Sequence, residues 1–249
     1  MSALQVKPNH NAPPPEAPVS KASFRRARTV IIGVMVLAAG IGIWDEVFKY
    51  RFFAKRFGIV VPGKIYRSGQ ISRWMIGPTL EKHDVQIVVD LTSYNADDQH
   101  QRAEVETARE LGVEHVRFPM SGDGVGGVQQ YADVIEILVS CEHESKPVLV
   151  HCAAGAQRTG GVVASYRLLV QNKTPEEAID EMESYGWSGG ENAKLLTFLD
   201  GQMQELAEIL VDKGVIPQVP RPLPVLSQAG SIGSSSQQAA AEGASTERL

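Results

Sequence analysis

The chain has 249 residues, of which 43% are apolar and 21% charged, and it contains two cysteines. This length suits one domain of ordinary size with appendages, and it is sufficient to bury a core. Two cysteines exclude a disulfide framework and any multi-cysteine zinc or iron–sulfur site. The net charge of −5 argues against a nucleic-acid-binding protein.

The charge is unevenly distributed along the chain. Residues 1–58 carry nine Lys or Arg against three Asp or Glu, whereas residues 59–213 carry 13 against 24. A basic head on an acidic body favours a head that lies near an anionic surface such as a membrane. The pattern predicts a disordered basic tail, a transmembrane anchor, an aromatic and basic juxtamembrane segment, one folded domain and a disordered C-terminal tail, at residues 1–28, 29–44, 45–58, 59–213 and 214–249.

The predicted anchor, Thr29 to Trp44, contains no charged residue. As a helix it would be about 24 Å long, slightly short of the ~30 Å hydrocarbon core of a bilayer. Aromatic residues that alternate with cations follow between Trp44 and Phe57, which is typical of the headgroup layer. We therefore expect an uncleaved single-pass anchor. A signal peptide cleaved near residues 38–40 and a buried helix of a soluble domain are the alternatives.

The orientation of this anchor is less strongly encoded. Four Lys or Arg precede the span closely and four follow it, so the two flanks are nearly balanced. Arg25, Arg26 and Arg28 adjoin the span, whereas its other flank begins with Asp45 and Glu46. This difference favours an N-terminus on the inside and a folded domain on the translocated side.

Strand and helix patterns alternate across the folded domain. Strands are predicted from Ile65-Tyr66 onward and at Val85–Leu91, Val113–Phe118 and Pro147–Cys152. Helices are predicted at 97–111, 128–141, 159–170, from Thr174 onward, and at 191–213. This alternation, followed by consecutive helices, predicts an α/β fold with a central, mostly parallel sheet flanked by helices.

The most informative segment is HCAAGAQRTG, from His151 to Gly160, which lies between a buried strand and an amphipathic helix. Gly155 permits a backbone conformation that other residues avoid, so the amides of the turn can converge on one point at the positive end of the helix dipole. The segment therefore predicts a phosphate-sized anion site formed by Ala153, Ala154, Gly155, Ala156, Gln157 and Arg158.

Cys152 lies at the base of this site. Converging amides, a helix dipole and a guanidinium favour the thiolate, so we expect a nucleophilic cysteine at neutral pH. Arg158 is expected to hold two phosphoryl oxygens through its planar guanidinium. Thr159 is expected to donate a hydrogen bond to the sulfur, and His151 to orient the loop rather than to act as a base.

This segment resembles the signature HCxxGxxR[ST] of the cysteine-dependent protein tyrosine and dual-specificity phosphatases. The matching residues are His151, Cys152, Gly155, Arg158 and Thr159. The resemblance covers the folded domain, and Ile65–Gln70 is similar to the opening of small atypical dual-specificity phosphatases. It implies a phosphatase-like fold and a phosphoester hydrolase with a cysteinyl-phosphate intermediate, without a metal or another cofactor.

Phosphoester cleavage also requires an acid for the leaving oxygen. The resemblance implies an Asp on a mobile loop some thirty residues before the nucleophile, and Asp123 lies 29 residues before Cys152 among glycines. The Trp-Pro-Asp form of the larger tyrosine phosphatases is absent, and a simple turn-forming Asp is the alternative. Asp133 is interpreted as a charge on a helix face, Asp90 as a strand end and Asp97 as a helix cap.

Three further questions stay open at this level. Cys141 is either a buried apolar residue or a resolving partner that protects Cys152 through a disulfide. The loop holds no lysine, which favours a singly phosphorylated group such as phosphotyrosine, whereas the predicted anchor keeps a lipid-linked phosphate as an alternative. An inactive phosphate-binding module and a sulfur-transfer or redox protein are the competing hypotheses. The oligomeric state is not predicted.

Overall fold

The computed structural model describes residue 28, residues 30–35, 37–38 and 52–229, with no side-chain description at 190 and 191. The chain divides into two compact units, Met1–Phe48 and Lys49–Leu249. In the first unit, the described residues of the predicted anchor are helical, and their large apolar side chains are exposed. Within the described part of the chain, no helix combines the length and the apolar character that crossing a membrane requires. The remainder of the predicted anchor, at 29, 36 and 39–44, lies outside the described residues, as do most of the basic tail and of the juxtamembrane segment.

The second unit is built on a five-stranded sheet with strand order β1-β2-β5-β3-β4. The strands are β1 (Gly58–Val61), β2 (Ile65–Gly69), β3 (Ile87–Asp90), β4 (Glu114–Arg117) and β5 (Val148–Cys152). Only the pair β1–β2 is antiparallel within this sheet, so the predicted mostly parallel sheet is confirmed. Strand β5, which is buried along its whole length, lies at the centre because its β-branched, apolar sequence has no solvent-facing side. Strand β1 was not predicted.

Helices cover both faces of the sheet. They are α1 (Ile76–Lys82), α2 (Gln99–Leu111), α3 (Val128–Glu144), α4 (Gln157–Leu169), α5 (Pro175–Ser184) and α6 (Gly189–Asp212). The smaller core packs α1 against one face of the sheet, and the larger core packs α3 to α6 against the other. Side chains alternate along β5, so Val150 and Cys152 face the larger core, whereas His151 faces α2. This alternation separates the histidine of the signature from the sulfur.

Two helix starts show how local sequence sets the boundaries. Thr174 caps α5 and forms a reciprocal capping box with Glu177, as its Thr-Pro-Glu-Glu sequence predicts. The cap of α2 is Asp98, whose carboxylate accepts the amides of His100 and Gln101. The prediction that Asp97 is this cap is therefore wrong by one residue, because both Asp residues have suitable chemistry and only the backbone conformation chooses between them.

The predicted disordered tail is wrong for residues 214–229. Ile216, Leu226 and Ala229 are buried in the larger core, and the carboxylate of Asp200 on α6 accepts the amides of Leu226 and Ser227 at 2.7 and 2.9 Å. The composition of this segment is low in charge and rich in proline, but its few large apolar residues pack into the larger core. Residues 230–249 lie outside the described part of the chain.

The packing of this segment predicts a specific stability loss. Replacing the fully buried Leu226 by Ala should lower the free energy of unfolding by about 2–4 kcal/mol, because a large side chain leaves the core and a cavity remains. Replacing the neighbouring exposed Ser227 by Ala should change it by less than about 0.5 kcal/mol. Urea unfolding monitored by circular dichroism measures both. Equal stability of the Leu226→Ala and wild-type proteins would show that this segment does not belong to the core.

Candidate active site

The loop that joins β5 to α4 lies at the carboxyl ends of the parallel strands, between β2 and β3. Gly155 adopts a φ of +77°, in the left-handed region that favours glycine. A Cβ atom at this position would lie 2.5 Å from the backbone nitrogen of Gly69 and 2.8 Å from the carbonyl carbon of Ser68. The loop therefore requires glycine both for its backbone angle and for its close approach to β2.

Three successive carbonyl groups of this loop, those of residues 153–155, are hydrogen-bonded from outside it. In chain order, the donors are the Gln70 amide at 3.2 Å, Arg56 Nη1 at 2.8 Å and Arg67 Nη2 at 3.1 Å. Because the C=O and N–H of one trans peptide point in opposite directions, the amides of residues 154–156 are turned toward the interior of the loop. The structure thus forms the concave array of amides that the sequence predicts.

The sulfur of Cys152 lies inside this array. The residue is 1% exposed, and the Gly155 amide donates a hydrogen bond to Sγ at 3.2 Å. Burial disfavours the thiolate, but the hydroxyl and amide of Thr159, the charge of Arg158 and the Gly155 amide together hold the pKa of Cys152 below its usual value.

Arg158 is turned back over the loop. Its Nη1 donates a hydrogen bond to the Leu91 carbonyl, just after β3, at 3.2 Å. Its Nε is buried and has no hydrogen-bond partner among the described residues. A half-buried guanidinium whose Nε is a buried, unsatisfied donor is suited to receive an oxyanion, because an unpaired buried donor is costly.

Asp123 lies in the loop before α3 with its side chain exposed. A hydrogen bond from Ser121 and another from the Val125 amide, at 3.1 Å to Oδ1, keep the pKa of Asp123 below its usual value. The next residue, Gly124, packs against the start of α4, since a Cβ added to it would lie 3.5 Å from the Gln157 carbonyl. The structure thus places the loop of Asp123 beside the loop that joins β5 to α4.

His151 belongs to a buried group of charges on the α2 side of the sheet. Its Nε2 lies 3.1 Å from Glu104 Oε1 and 4.0 Å from Asp90 Oδ1. Two more basic side chains lie against the same carboxylates: His115 is 3.0 Å from Glu104, and Arg117 is 3.0 Å from Asp90. Although burial opposes it, the charge of Glu104 and its hydrogen bond raise the pKa of His151 to about 9. A protonated, fixed imidazolium fits the predicted orienting role.

Cys141 is 3% exposed near the end of α3, beside a cavity of about 310 Å³. Burial is the main cause that raises the pKa of this thiol to about 11. A thiol that stays protonated at neutral pH is a poor partner for disulfide exchange, so the structure favours the interpretation of Cys141 as a buried apolar residue.

Three residues at the site were not predicted: Arg56, Arg67 and Glu104. None of them lies close to the signature along the chain, and each reaches it through the tertiary structure. The available signals were an arginine and a glutamate at positions that the apolar patterns of β2 and α2 would bury. Such residues require partners, but the sequence does not identify them.

Comparison with known proteins agrees with this geometry. The family described as "Tc-R-P: Polymorphic toxin system, DSP-PTPase phosphatase" matches residues 76–172. The chain is 37% identical over 59 residues to the dual specificity protein phosphatase OPG106 of vaccinia virus strain Western Reserve, covering 23% of this chain and 34% of that protein. It is 36% identical over 75 residues to the dual specificity protein phosphatase TpbA of Pseudomonas aeruginosa strain UCBPP-PA14, covering 30% of this chain and 34% of that protein. The matches thus span about a third of the length of these curated relatives.

Among solved structures, the fold is similar to the core catalytic domain of the PP-IP phosphatase SIW14 from S. cerevisiae. The TM-score is 0.51 at 20% sequence identity, over 69% of this chain and 97% of that chain. This likeness shows the fold. The family match and the curated relatives show that part of the folded domain is similar to dual specificity phosphatases.

The buried pair His151–Glu104 predicts a pH-dependent stability. The folded-state pKa of His151, about 9, exceeds its ordinary 6.5, so its stabilisation is fully present below about pH 6.5 and is lost as the pH rises through about 9. Replacing Glu104 by Gln should lower the free energy of unfolding below pH 6.5 and flatten its decline between pH 6.5 and 9. Urea titrations across this range measure the effect.

The matched control is Glu110→Gln, which removes an exposed carboxylate from the same helix. It should retain the wild-type pH dependence. An unchanged decline in the Glu104→Gln protein would show that this carboxylate does not hold the imidazolium.

Proposed function

We propose that the chain is a cysteine-dependent phosphatase that hydrolyses phosphate monoesters of proteins, with tyrosine or dual specificity. The observation that carries the proposal is a buried cysteine with a lowered pKa inside a loop whose amides face inward, beside an arginine with an unsatisfied buried donor. Amides, guanidinium and helix N-terminus together match the three oxygens of a phosphoryl group. The dual specificity phosphatases among its relatives support the same class of reaction.

In the first step, the thiolate of Cys152 attacks phosphorus in line with the leaving oxygen. The S–P bond forms while the P–O bond to the leaving group breaks, and the carboxylic proton of Asp123 passes to that oxygen. Arg158 and the amides of residues 154–156 hold the three remaining oxygens, whose charge is redistributed in the transition state. The product of this step is a cysteinyl-phosphate and a neutral alcohol or phenol.

In the second step, water attacks the phosphorus of the cysteinyl-phosphate. Asp123, now a carboxylate, takes a proton from this water, and the S–P bond breaks to release inorganic phosphate and the thiolate. The Thr159 hydroxyl lowers the cost of this departure by donating to the sulfur. His151 lies on the other face of the sheet and acts only by holding the loop.

The loop itself favours a singly phosphorylated substrate. Its side chains between the nucleophile and Arg158 are three alanines, one glycine and one glutamine, which provide no additional cation for a second phosphate. The inactive-module and sulfur-carrier hypotheses would not require both Arg158 and Asp123 beside the thiol. Tight competitive inhibition by vanadate is expected for a phosphoryl-transfer site and not for a sulfur carrier.

The role of Asp123 predicts a pH effect and a leaving-group effect. Replacing it by Asn should slow hydrolysis of phenyl phosphate by about 10²–10⁴-fold, because the leaving oxygen loses its acid. In the wild-type protein, kcat/KM should fall as the pH rises and the acid form of Asp123 is depleted, and the Asn variant should lack this fall. Steady-state kinetics from pH 4.5 to 8 measure both.

The matched control is Asp97→Asn, which neutralises another exposed aspartate and should retain the wild-type rate. The Cys152→Ser protein sets the zero of activity, since a serine hydroxyl is not ionised at this pH. A wild-type rate of the Asp123→Asn protein on phenyl phosphate would refute the acid assignment.

We also propose that residues 29–44 anchor the chain as a single-pass membrane segment, with the catalytic domain on the translocated side. The support is the uncharged sequence and the exposure of Val30, Ile31, Ile32 and Val34 on described helical residues. A contiguous exposed apolar surface of this kind needs a partner, and a bilayer provides one. An anchored phosphatase could also reach a lipid-linked phosphate.

A pair of charges should abolish this anchoring. The full chain is expected to float with phosphatidylcholine and phosphatidylglycerol vesicles in a density gradient, whereas Ile32→Lys with Met35→Lys should remain at the bottom. Each central lysine costs about 2.5–3.5 kcal/mol on an insertion scale. Ile59→Lys, which adds a charge at an exposed position of β1, should float like the wild-type chain. Failure of the wild-type chain to float would refute the anchor.

A further inference from the structure

Arg67 occupies the middle of β2, and it is completely buried. It pairs in register with Val150 on β5, so its side chain lies on the same face of the sheet as Cys152. Its Nη2 donates to the Gly155 carbonyl at 3.1 Å, and its guanidinium stacks on the ring of Tyr185, 3.9 Å from the ring centroid. A fully buried arginine directly beneath the phosphate-binding loop is an expensive feature, and it needs a physical reason.

The charge of Arg67 is only partly compensated. Its nearest carboxylate is Glu181 on α5, at 3.5 Å from Nη1, but Glu181 lies closer to Arg167, at 2.7 Å from Nε. Nε and Nη1 of Arg67 have no hydrogen-bond partner among the described residues. One carboxylate thus serves two guanidinium groups, and an excess of positive charge stays in the core behind the loop.

We propose that Arg67 is a positioning residue for the phosphate-binding loop: it holds the Gly155 carbonyl down from beneath and supplies a buried positive charge behind Cys152. The first effect keeps the following amide, that of Ala156, turned into the loop. The second effect acts on the sulfur without any contact with substrate. This proposal rests on the proposed function in one respect, namely that this loop binds the phosphoryl group.

Four groups outside the amide array interact electrostatically with Cys152. Arg158 lies on α4, His151 on β5 and Tyr131 on α3, and Arg67 lies on β2. Burial lowers the pKa of Arg67, and the charges of Glu181, Tyr185 and Cys152 act in the opposite direction. Arg67 is thus the cation of this group that contacts the loop through the Gly155 carbonyl.

The test compares Arg67→Met, Arg67→Lys and Arg167→Met in the full chain. The first readout is the rate of Cys152 alkylation by iodoacetamide between pH 4.5 and 8, followed by mass spectrometry of the peptide that contains Cys152. The second is the concentration of inorganic phosphate that protects this cysteine from alkylation. Arg167→Met is the matched control, because it also removes a partner of Glu181, whereas the hydrogen bonds of Arg167 among the described residues go to Glu181 and Gln171 rather than to the loop.

We expect Arg67→Met to alkylate about tenfold more slowly at pH 5.5, which corresponds to about one pH unit in the titration, and to need about tenfold more phosphate for protection. Arg67→Lys should recover most of the alkylation rate because it retains the charge. It should still need several-fold more phosphate, because an ammonium group cannot contact Gly155 and Glu181 with the geometry of a guanidinium. Arg167→Met should match the wild-type protein in both readouts.

The proposal is overturned if folded Arg67→Met matches the wild-type protein in both readouts, or if Arg167→Met shows equal losses. Should Arg67→Met fail to fold in circular dichroism, Arg67→Lys decides: wild-type phosphate protection overturns the proposal, and weaker protection supports it. Neither readout requires turnover. A wild-type protein that hydrolyses no phosphate monoester would therefore refute the proposed function while the role of Arg67 is still measured.

Discussion

The central constraint on the domain is that fixed groups must favour the ionised form of Cys152 at a place where burial disfavours it. The side chain of Cys152 is almost completely removed from solvent, so water contributes little to the solvation of the thiolate. Its solvation comes instead from fixed groups: the Gly155 amide, the hydroxyl and amide of Thr159, and the charge of Arg158. Fixed dipoles stabilise charge without reorganising during the reaction, so the same groups that ionise the sulfur can stabilise a phosphoryl transition state. The rest of the structure must hold these groups in place.

The topology of the sheet provides this support. The loop follows β5, and the ends of β2 and β3 lie on either side of it. From the β2 side come the Gln70 amide and Arg67, and from the β3 side comes the Leu91 carbonyl that orients Arg158. Arg56, which precedes β1, donates a hydrogen bond to the remaining carbonyl, that of Ala154. The carbonyl groups of three successive residues, 153–155, point outward and accept hydrogen bonds from these donors. These bonds hold the loop amides inward without the help of a bound anion.

How far the sequence predicts this arrangement depends on the distance along the chain between interacting groups. The strand, the glycine turn and the helix from His151 to Gly160 are local, so the pattern of residue types predicts them and the structure agrees. The roles of Arg67 and Glu104 depend on strand register and helix packing across 88 and 47 residues, and no local pattern encodes them. The packed segment at 214–229 was missed for a related reason, since composition averages over the few apolar residues that fill the core.

The cations of the two buried ion pairs at the base of the loop differ in how their charge depends on pH. On one face of the sheet, the imidazolium of His151 persists until the pH approaches its raised pKa of about 9, because Glu104 lies 3.1 Å away. On the other face, Arg67 keeps its charge throughout the neutral range, because a guanidinium does not lose its proton there. The pKa of Cys152 is lowered, so this group titrates on the acid side of its usual value. Across neutral pH, one cation therefore lies behind the sulfur on each face of the sheet, and both favour its ionised form. Asp123, whose pKa lies below its usual value, titrates at a pH at which both of these cations are charged, so a change in its protonation leaves the charges behind the sulfur unaltered.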